Sequence, residues 1–231
     1  YHERSLYLGD PAFEIIDEEK LLNPRLLVKR YNDFTQKKSI PNTKTKLNST
    51  SHFSILDKFG NNISMTSSIE NSFGSRLFVN GFLLNNQLTD FSFSGKNSYG
   101  EVSFNKVKGN KKPLSSMSPV IILNKEKEFL LSLGSPGGTA IISYVFKTLV
   151  DVMYHGLDPL ESIKNGNFIR KGNKLYLEKD RFNLQEIKDL FGENIEIKEV
   201  PLTSGIGIII KKENKYIGAA DLRRDGTVFA K

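Results

Sequence analysis

A threonine at the start of a predicted β-strand is the residue in this sequence whose position best suits catalysis. Thr50 opens the segment Thr50–Asp57, in which polar and apolar side chains alternate as in a half-buried strand. A threonine hydroxyl is a weak nucleophile unless a base lies beside it. The α-amino group of the same residue can be that base, because its pKa of about 7.7–8.0 lets it accept a proton near neutral pH. That chemistry requires a chain break between Ser49 and Thr50, and the alternative is an ordinary strand-edge threonine.

The sequence before Thr50 favours such a break. Residues 35–49 are rich in Lys, Thr, Asn and Ser and contain one proline, which is the composition of a linker. The first residues, Tyr1–Arg4, resemble neither a signal peptide nor a natural start. We therefore expect this chain to be the later part of a longer protein that is processed at Ser49–Thr50.

The other reactive side chains do not form a metal or thiol site. The chain has 3 histidines and no cysteine, so disulfides and cysteine–metal sites are excluded. His2 and His155 lie near predicted element ends, and no histidine pair has metal-ligand spacing. His52 lies two residues after Thr50 on the same strand face, and we expect it to make structural hydrogen bonds. We predict no metal and no cofactor.

Two further segments carry groups that recognise charge. Gly137 and Gly138 precede a long predicted helix, where backbone N–H groups can bind an anion or a developing oxyanion. A tight turn at a helix start is the alternative for this pair. Ser115 and Ser116 carry hydroxyls that can hydrogen-bond to a carboxylate, and an ordinary loop is the alternative for them.

A third polar group is suited to an ammonium ion. Glu70 and Asp90 carry carboxylates, and Asn85–Gln87 lies between them in the sequence. Together these side chains can line a pocket that accepts hydrogen bonds from an ammonium group. The alternative is that they serve as turn and cap residues.

The elements that would position these residues are mainly hairpins and helices. We predict helices from Asn23 to about Phe34, from about Thr139 to Tyr154, after Asp158, and over Leu184–Phe191. The second is apolar over so much of its surface that it should be buried. The predicted strands are Thr50–Asp57, Asn62–Glu70, Val120–Leu123, Phe129–Leu133, Leu175–Leu177, Ile195–Val200, Gly205–Ile210 and Tyr216–Ala219. Because hairpins outnumber strand–helix–strand units, we predict an α+β fold of antiparallel sheet covered by helices.

Composition limits the classes of partner. The chain has 231 residues, of which 38% are hydrophobic, which is enough for a packed core. No apolar run approaches the roughly 20 residues of a membrane-spanning helix. The net charge is +7, but the dense lysine cluster within 106–112 has only Phe104 as an aromatic neighbour, so we predict no nucleic-acid partner. The unpatterned stretch Ser92–Lys112, which contains this cluster, is expected to be a functional loop or lid.

Four ordered motifs resemble those of one enzyme family. They are Thr50–Ser54 (TSHFS), Leu83–Gln87 with Asp90-Phe91, Pro113–Pro119 (PLSSMSP) and Gly134–Gly138 (GSPGG). In addition, Tyr7–Pro11 (YLGDP) is similar to the end of that family's large subunit. On these residues the chain resembles the γ-glutamyltransferases, also called glutathione hydrolases, of the N-terminal-nucleophile hydrolase superfamily.

The resemblance implies an organisation and a fold. Residues 1–49 correspond to the tail of the large subunit, and residues 50–231 correspond to the small, catalytic subunit. The implied fold is a layered αββα sandwich whose antiparallel sheets are covered by helices, with this chain as its C-terminal part. The family also implies a periplasmic or secreted location.

The resemblance assigns catalytic roles by position. Thr50 matches the nucleophile, and Ser68 stands where the family usually has a threonine whose hydroxyl contacts the nucleophile. Gly137 and Gly138 match the oxyanion hole. Cleavage would fall between Ser49 and Thr50.

It also assigns substrate contacts. Gln87 and Asp90 match residues that hold the α-amino group of the substrate, and Ser115 and Ser116 match those that bind its α-carboxylate. Glu70 departs from the asparagine of many members, which affects substrate choice. The family's arginine that pairs with the α-carboxylate belongs to the large subunit and is absent from this chain.

The implied reaction is γ-glutamyl transfer or hydrolysis through a threonine acyl-enzyme. Donors are glutathione and other γ-glutamyl compounds, and acceptors are amino acids, peptides or water. The remaining large-subunit part of the precursor is the expected protein partner. The alternatives are a glutaryl or cephalosporin-type acylase and an inactive fragment.

Overall fold

The computed structural model describes residues 1–36, 50–97, 99–192 and 195–230, which fold as an α+β structure. The helices are α1 (His2–Tyr7), α2 (Glu18–Leu22), α3 (Pro24–Gln36), α4 (Ile141–Leu149), α5 (Pro159–Lys164) and α6 (Leu184–Phe191). The strands are β1 (Thr50–Leu56), β2 (Asn62–Ser68), β3 (Phe78–Val79), β4 (Phe82–Leu83), β5 (Val120–Leu123), β6 (Phe129–Gly134), β7 (Phe168–Lys171), β8 (Lys174–Glu178), β9 (Glu196–Val200), β10 (Gly207–Lys212) and β11 (Lys215–Ala220).

A four-stranded antiparallel sheet, in the order β11-β10-β6-β5, forms the centre of the fold. Successive side chains of a strand point to opposite faces. Leu131 and Leu133 of β6 and Ile208 and Ile210 of β10 belong to the apolar core, which also contains Tyr144 of α4. Burying a side chain of this kind stabilises the fold by about 1.5–3 kcal/mol.

The hairpin β1–β2 packs against this sheet and makes a second β layer. Gly134 and Gly207 are paired neighbours on β6 and β10, and the His52 ring lies against both of them. A Cβ atom at Gly134 would come within 2.2 Å of His52 Cε1. Glycine at that position therefore allows the two layers to approach closely.

Helices supply the remaining layer, where α4 contacts β6 and α5 contacts β11. Residues 138–154 form one continuous helical stretch, with a 3₁₀ start and a π-helical end, so the predicted long helix is confirmed. The expectation that this helix is buried holds for one side only. Tyr144 and Val145 are buried, but Phe146 is 67% exposed and Met153 47% exposed, because a helix lying on a sheet buries only one side.

A second, three-stranded sheet corrects the strand prediction. Strand β7 was not predicted, and it pairs antiparallel with β8. Strand β9 pairs parallel with β8, so the predicted antiparallel pairing does not extend to this pair. The reason is that α6 connects β8 to β9, and a helical crossover returns the chain in the same direction. The short helices α1 and α2 were also not predicted.

The predicted caps are confirmed. Asn23 Oδ1 accepts hydrogen bonds from Arg25 N at 3.0 Å and Leu26 N at 3.3 Å, and α3 begins at the following proline. Asp158 Oδ1 accepts from Leu160 N at 2.8 Å at the start of α5. These side chains satisfy N–H groups that have no partner within the helix.

The first fourteen residues are held against the loop 92–112. Asp10 Oδ2 accepts from Lys112 N at 2.7 Å, and this backbone hydrogen bond lowers the pKa of Asp10. Lys111 Nζ lies 2.6 Å from Glu14 Oε1 and is buried. The lysine cluster of the loop is therefore not a continuous exposed basic patch. These contacts fix the segment that carries α1 beside the loop.

Candidate active site

The N-terminal end of β1 opens onto a cavity of about 140 Å³. All the predicted catalytic and substrate-binding residues except Gly137 line it. Ser49, the other half of the predicted cleavage site, lies outside the described residues. No described residue of the loop 92–112 is among the lining residues, so the structure shows no direct contact between that loop and the cavity.

Thr50 and Ser68 form the floor of the site. They are directly opposite each other in the β1–β2 ladder, and Thr50 Oγ1 donates a hydrogen bond to Ser68 Oγ at 2.9 Å. Ser68 Oγ also accepts from Glu70 N at 3.0 Å. Thr50 is 7% exposed, so its hydroxyl is oriented by this bond and is largely shielded from bulk water.

Glu70 adopts a backbone conformation that is unusual for its residue type. It is 1% exposed and has φ of 73°, in the left-handed region that costs a non-glycine residue about 1–2 kcal/mol. Its carboxylate Oε2 accepts from Asn86 Nδ2 at 2.9 Å. Asparagine tolerates this conformation better than glutamate. Glu70 is therefore a strained residue, and its carboxylate lies at the cavity wall.

A 3₁₀ turn over Gln87–Asp90 presents the second carboxylate. Gln87 Nε2 donates to Asp90 Oδ2, which fixes both side chains. Asn105 donates to Asp90 O at 2.7 Å and accepts from Leu114 N at 2.9 Å. Sequence reasoning missed Asn105, because one asparagine in an unpatterned loop gives no signal. It ties the turn to the segment that contains the two serines.

Ser115 and Ser116 lie in an extended segment on the cavity wall. Ser115 Oγ accepts from Met117 N at 3.1 Å, which leaves the hydroxyl proton of Ser115 available to a ligand. Ser118 Oγ donates to Ser116 O at 2.9 Å and holds the backbone of this segment. The pair can donate hydrogen bonds to a carboxylate.

The two glycines before α4 have conformations that suit an oxyanion site. Their φ values are 137° for Gly137 and 59° for Gly138, and a Cβ at Gly137 would lie 2.5 Å from Tyr144 Cε2. Gly138 is buried and lines the cavity. Neither N–H donates to an acceptor among the described residues. Glycine is therefore required at Gly137, and the pair leaves donors available for a ligand.

Two basic residues of the site were not predicted. Arg4 of α1 lines the cavity, where burial lowers the pKa of its guanidinium and attraction to Asp90 partly offsets that effect. Lys171 lies behind the wall, with Nζ 2.9 Å from Thr139 Oγ1, and burial lowers its pKa to about 8. Neither was a candidate, because Arg4 lies just before the Tyr7–Pro11 motif and outside it, and Lys171 lies in strand β7, which was not predicted.

His52 has the structural role expected of it. Its Nδ1 lies 2.9 Å from Thr66 Oγ1 and its Nε2 lies 3.1 Å from Ser54 Oγ. Burial lowers its pKa to about 4, so the ring is neutral at pH 7. It packs between the two β layers and does not line the cavity.

Two kinds of feature are absent from residues 1–36, 50–97, 99–192 and 195–230. No group of three or more His, Cys, Asp or Glu side chains is placed to hold a metal ion there. None of the helices in the described ranges is long and apolar enough to cross a membrane.

Comparison with known proteins then identifies the family. The Gamma-glutamyltranspeptidase family model matches residues 1–230. The chain belongs to this family. The "Glutathione hydrolase proenzyme" of Escherichia coli (strain K12) is 33% identical over 96% of the chain, which covers 41% of that relative. The chain thus spans about two fifths of the length of the curated relatives it matches.

Solved structures agree with this assignment. The chain is similar to a Helicobacter pylori gamma-glutamyltranspeptidase mutant, with 32% identity, a TM-score of 0.66, and coverage of 75% of this chain and 99% of that one. It also superposes on a Bacillus halodurans cephalosporin acylase with a TM-score of 0.76 and 19% identity, covering 96% of this chain and 41% of that one. At that identity the second likeness supports only the fold, which is of the N-terminal-nucleophile hydrolase type.

Proposed function

We propose that the protein containing this chain is a γ-glutamyltransferase or glutathione hydrolase that works through a threonine acyl-enzyme. One observation carries the proposal: the Thr50 hydroxyl, hydrogen-bonded to Ser68, lies at the wall of a cavity that holds both carboxylates and serine hydroxyls. Family membership and the name of the Escherichia coli relative support the reaction class.

The nucleophile is generated by self-cleavage. Thr50 Oγ1 attacks the Ser49 carbonyl carbon, the Ser49–Thr50 amide bond breaks, and the nitrogen takes the hydroxyl proton. Water then hydrolyses the resulting ester, which leaves a carboxylate on Ser49 and restores the hydroxyl of Thr50 beside a free amine. Residues 1–49 become the tail of the large subunit, and 50–231 become the small subunit. The name proenzyme of the relatives supports this step.

Catalysis then uses the free α-amino group of Thr50 as the base. Its amine takes the hydroxyl proton as Oγ1 attacks the γ-carbonyl carbon of the donor. The N–H groups of Gly137 and Gly138 donate to the oxyanion, a kind of contact worth about 10²–10³ in rate when one donor is removed from other enzymes. The leaving amine receives the proton, and a γ-glutamyl ester of Thr50 remains. Water or an acceptor amine then attacks the ester, and Thr50 Oγ1 regains its proton as it leaves.

The cavity selects an α-amino acid head group. Asp90, Glu70 and Gln87 accept hydrogen bonds from the ammonium, while Ser115 and Ser116 donate to the carboxylate. A glutaryl group, the substrate of the competing acylase function, has no ammonium. A bound glutaryl group would therefore place the two carboxylates in a partly closed site without the ammonium. This raises the free energy of the bound complex. The site therefore favours γ-glutamyl over glutaryl donors.

The remaining part of the precursor is the proposed protein partner. The outward face of the β1–β2 hairpin is apolar and exposed, and its side chains are Phe53, Ile55, Ile63 and Met65. A stripe of apolar side chains on adjacent strands is typical of a surface that another element covers. We infer that the large-subunit part covers it, and that the mature protein is periplasmic or secreted as the family resemblance implies.

The proposal is tested by the donor preference of the full-length protein. A γ-glutamyl anilide should be hydrolysed with a kcat/KM well above that of the glutaryl anilide. Thr50→Ala should abolish the activity, whereas Thr50→Ser, which keeps a hydroxyl, should retain part of it. A preference for the glutaryl donor would favour the acylase. Absence of turnover with both donors would favour an inactive protein.

A further inference from the structure

A buried lysine lies behind the segment that carries the proposed oxyanion donors. Lys171 of β7 is 3% exposed, and its Nζ lies 2.9 Å from Oγ1 of Thr139, the residue after Gly138. We propose that Lys171 is a positioning residue for the oxyanion site, which holds Thr139 in place and favours negative charge on the reacting carbonyl oxygen. This inference rests on the proposed function and adds to it a residue that lies outside the four motifs.

Thr139 is held by both its side chain and its backbone. Its hydroxyl oxygen accepts a hydrogen bond from Lys171 Nζ, and its carbonyl oxygen accepts one from the Tyr1 hydroxyl. Thr139 lines the cavity beside Gly138, within the 3₁₀ turn Gly138–Ala140 that begins the long helix. The two contacts therefore restrain the turn that carries one of the proposed oxyanion donors and directly follows the other.

Lys171 carries a charge that the described residues do not neutralise. Burial and the positive charge of Arg4 lower its pKa to about 8, and no carboxylate in the described ranges raises it. The ammonium is therefore mainly protonated at pH 7. Its Nζ also lies 4.9 Å from the centroid of the Tyr1 ring, whose face attracts a cation but carries no net charge. A buried cation without an anionic partner costs free energy.

The proposed reaction supplies a negative charge on the other side of this turn. When Thr50 attacks, the carbonyl oxygen of the donor becomes an oxyanion beside the N–H groups of Gly137 and Gly138. A fixed positive charge near that oxygen stabilises the transition state more than the neutral carbonyl of the ground state. Because Lys171 is buried, water and salt screen its charge less than they screen a surface charge. The oxyanion is therefore the transient anion that the buried ammonium stabilises.

A purely structural role is the competing explanation, in which Lys171 stabilises the fold through its hydrogen bond to Thr139. The two roles predict different effects on stability. Replacing a buried, unpaired ammonium by an apolar side chain of similar length is neutral or stabilising, whereas loss of a structural hydrogen bond is destabilising. If Lys171 serves the reaction, its replacement by Met should lower kcat without lowering the melting temperature.

The experiment uses the full-length protein with Lys171→Met, Thr139→Val and the double variant. Two controls accompany them. Thr139→Ser keeps the hydroxyl, and Lys174→Met changes the lysine that is paired with Lys171 in the β7–β8 hairpin and forms an ion pair with Glu196 at 3.2 Å. We measure the hydrolysis of the γ-glutamyl and glutaryl anilides and the melting temperature of each protein. Intact mass gives the amount of cleaved protein, to which kcat refers.

Lys171→Met should lower kcat for the γ-glutamyl anilide about 10- to 100-fold. It should leave KM within about twofold of wild type, because the effect belongs to the transition state. Its melting temperature should equal or exceed that of the wild type. Thr139→Val should also lower kcat, and the double variant should lose no more than the larger single loss, because Lys171 acts through Thr139. Both controls should behave as the wild type.

The outcomes separate this inference from the proposed function. With a wild type that prefers the γ-glutamyl anilide, three results for Lys171→Met would overturn its role and leave the function intact: an unchanged kcat, a lower melting temperature, or a loss that multiplies with that of Thr139→Val. Failure of Lys171→Met to self-cleave would place its role in processing and overturn the role in turnover. A wild type that prefers the glutaryl anilide, with a kcat that still depends on Lys171, would overturn the function and retain the role of Lys171. A wild type that hydrolyses neither anilide would overturn both.

Discussion

At the scale of single residues, the Thr50 hydroxyl depends on the hydroxyl opposite it. Ser68 Oγ accepts from Thr50 Oγ1 at 2.9 Å and from Glu70 N at 3.0 Å. Removing this acceptor frees the Thr50 rotamer and leaves the Glu70 N–H without that acceptor. Ser68 is therefore a positioning residue for the nucleophile.

We predict that Ser68→Ala lowers kcat for a γ-glutamyl anilide about 10-fold or more, since a misplaced reacting group costs up to about 100-fold. Ser68→Thr, which keeps the hydroxyl, should stay near wild type. Ser67→Ala is the control, because Ser67 is the exposed neighbour on β2. Steady-state kinetics of the three variants check the prediction, and an unchanged kcat in Ser68→Ala would contradict it.

Glu70 is the residue at which substrate choice should change. Glu70→Gln keeps the shape and removes one negative charge beside Asp90. We predict a KM for the γ-glutamyl anilide about 10-fold higher, because a charged hydrogen bond to the ammonium becomes a neutral one. Hydrolysis of the glutaryl anilide should improve, since less negative charge is left without a cation. Glu161→Gln is the matched control, because the Glu161 side chain of α5 is exposed. An unchanged ratio of the two donors would show that Glu70 does not face the ammonium.

Sequence reasoning identified the residues that lie in motifs and missed those that arrive from elsewhere. Thr50 and Asp90 were candidates because their motifs are short and local, Glu70 was a candidate because of its carboxylate, and the structure brings all three to one cavity. Arg4 and Asn105 were not, because their contribution depends on how α1 and the loop 92–112 pack. Spacing along the chain does not encode that packing.

At the scale of elements, the contact between the hairpin and the central sheet is the most sensitive to substitution. The His52 ring lies on Gly134 and Gly207, and it also bonds to Thr66 at 2.9 Å. The ring cannot move away without losing this bond. A methyl group in this layer would therefore separate the two sheets.

We predict that Gly134→Ala destabilises the protein by about 1–3 kcal/mol, the usual cost of overpacking. A matched control exists in Gly109→Ala, because a Cβ at Gly109 would meet no atom within 4 Å. Urea unfolding of the two variants measures the difference. Equal stability of both variants would mean that the sheets do not approach as closely as the His52 contact requires.

Element type was largely predictable, whereas exposure and strand direction were not. The caps at Asn23 and Asp158 and the strand Val120–Leu123 were correctly predicted, since they follow from local chemistry. The exposure of Phe146 and the parallel pairing of β8 with β9 were not, because both depend on which surfaces meet. Periodicity shows that a surface is apolar and does not show what covers it.

At the scale of the whole molecule, a buried ion pair joins the three-stranded sheet to the end of the chain. Arg223 Nε lies 2.7 Å and Nη2 2.9 Å from the two carboxylate oxygens of Glu178. Arg223 Nη1 also lies 3.2 Å from Asp221 Oδ1. Both acidic residues are buried, so their charges depend on this partner.

We predict that Arg223→Met destabilises the protein by about 3–5 kcal/mol, because it leaves buried charge without its partner. The control is Arg181→Met, since Arg181 is 51% exposed and lies 3.8 Å from the same Glu178; it should cost about 1 kcal/mol or less. Thermal unfolding of both variants tests the difference. Similar melting temperatures would show that Glu178 is balanced by another group.

The layered arrangement was predictable from the order of hairpins and helices, and the α+β class is confirmed. The family also followed from four motifs and is confirmed by the match over residues 1–230. The division into two subunits at Ser49–Thr50 stays a prediction. It is also the step on which the proposed nucleophile depends, because only cleavage gives Thr50 its own amine.

The most direct test is therefore the intact mass of the full-length protein beside its Thr50→Ala variant. We predict a fragment that begins at Thr50 in the unmodified protein and a single uncut chain in the variant. That result would establish self-processing and the nucleophile together. An uncut chain in both proteins, or a fragment with the same start in the variant, would contradict the central claim that Thr50 is the catalytic residue.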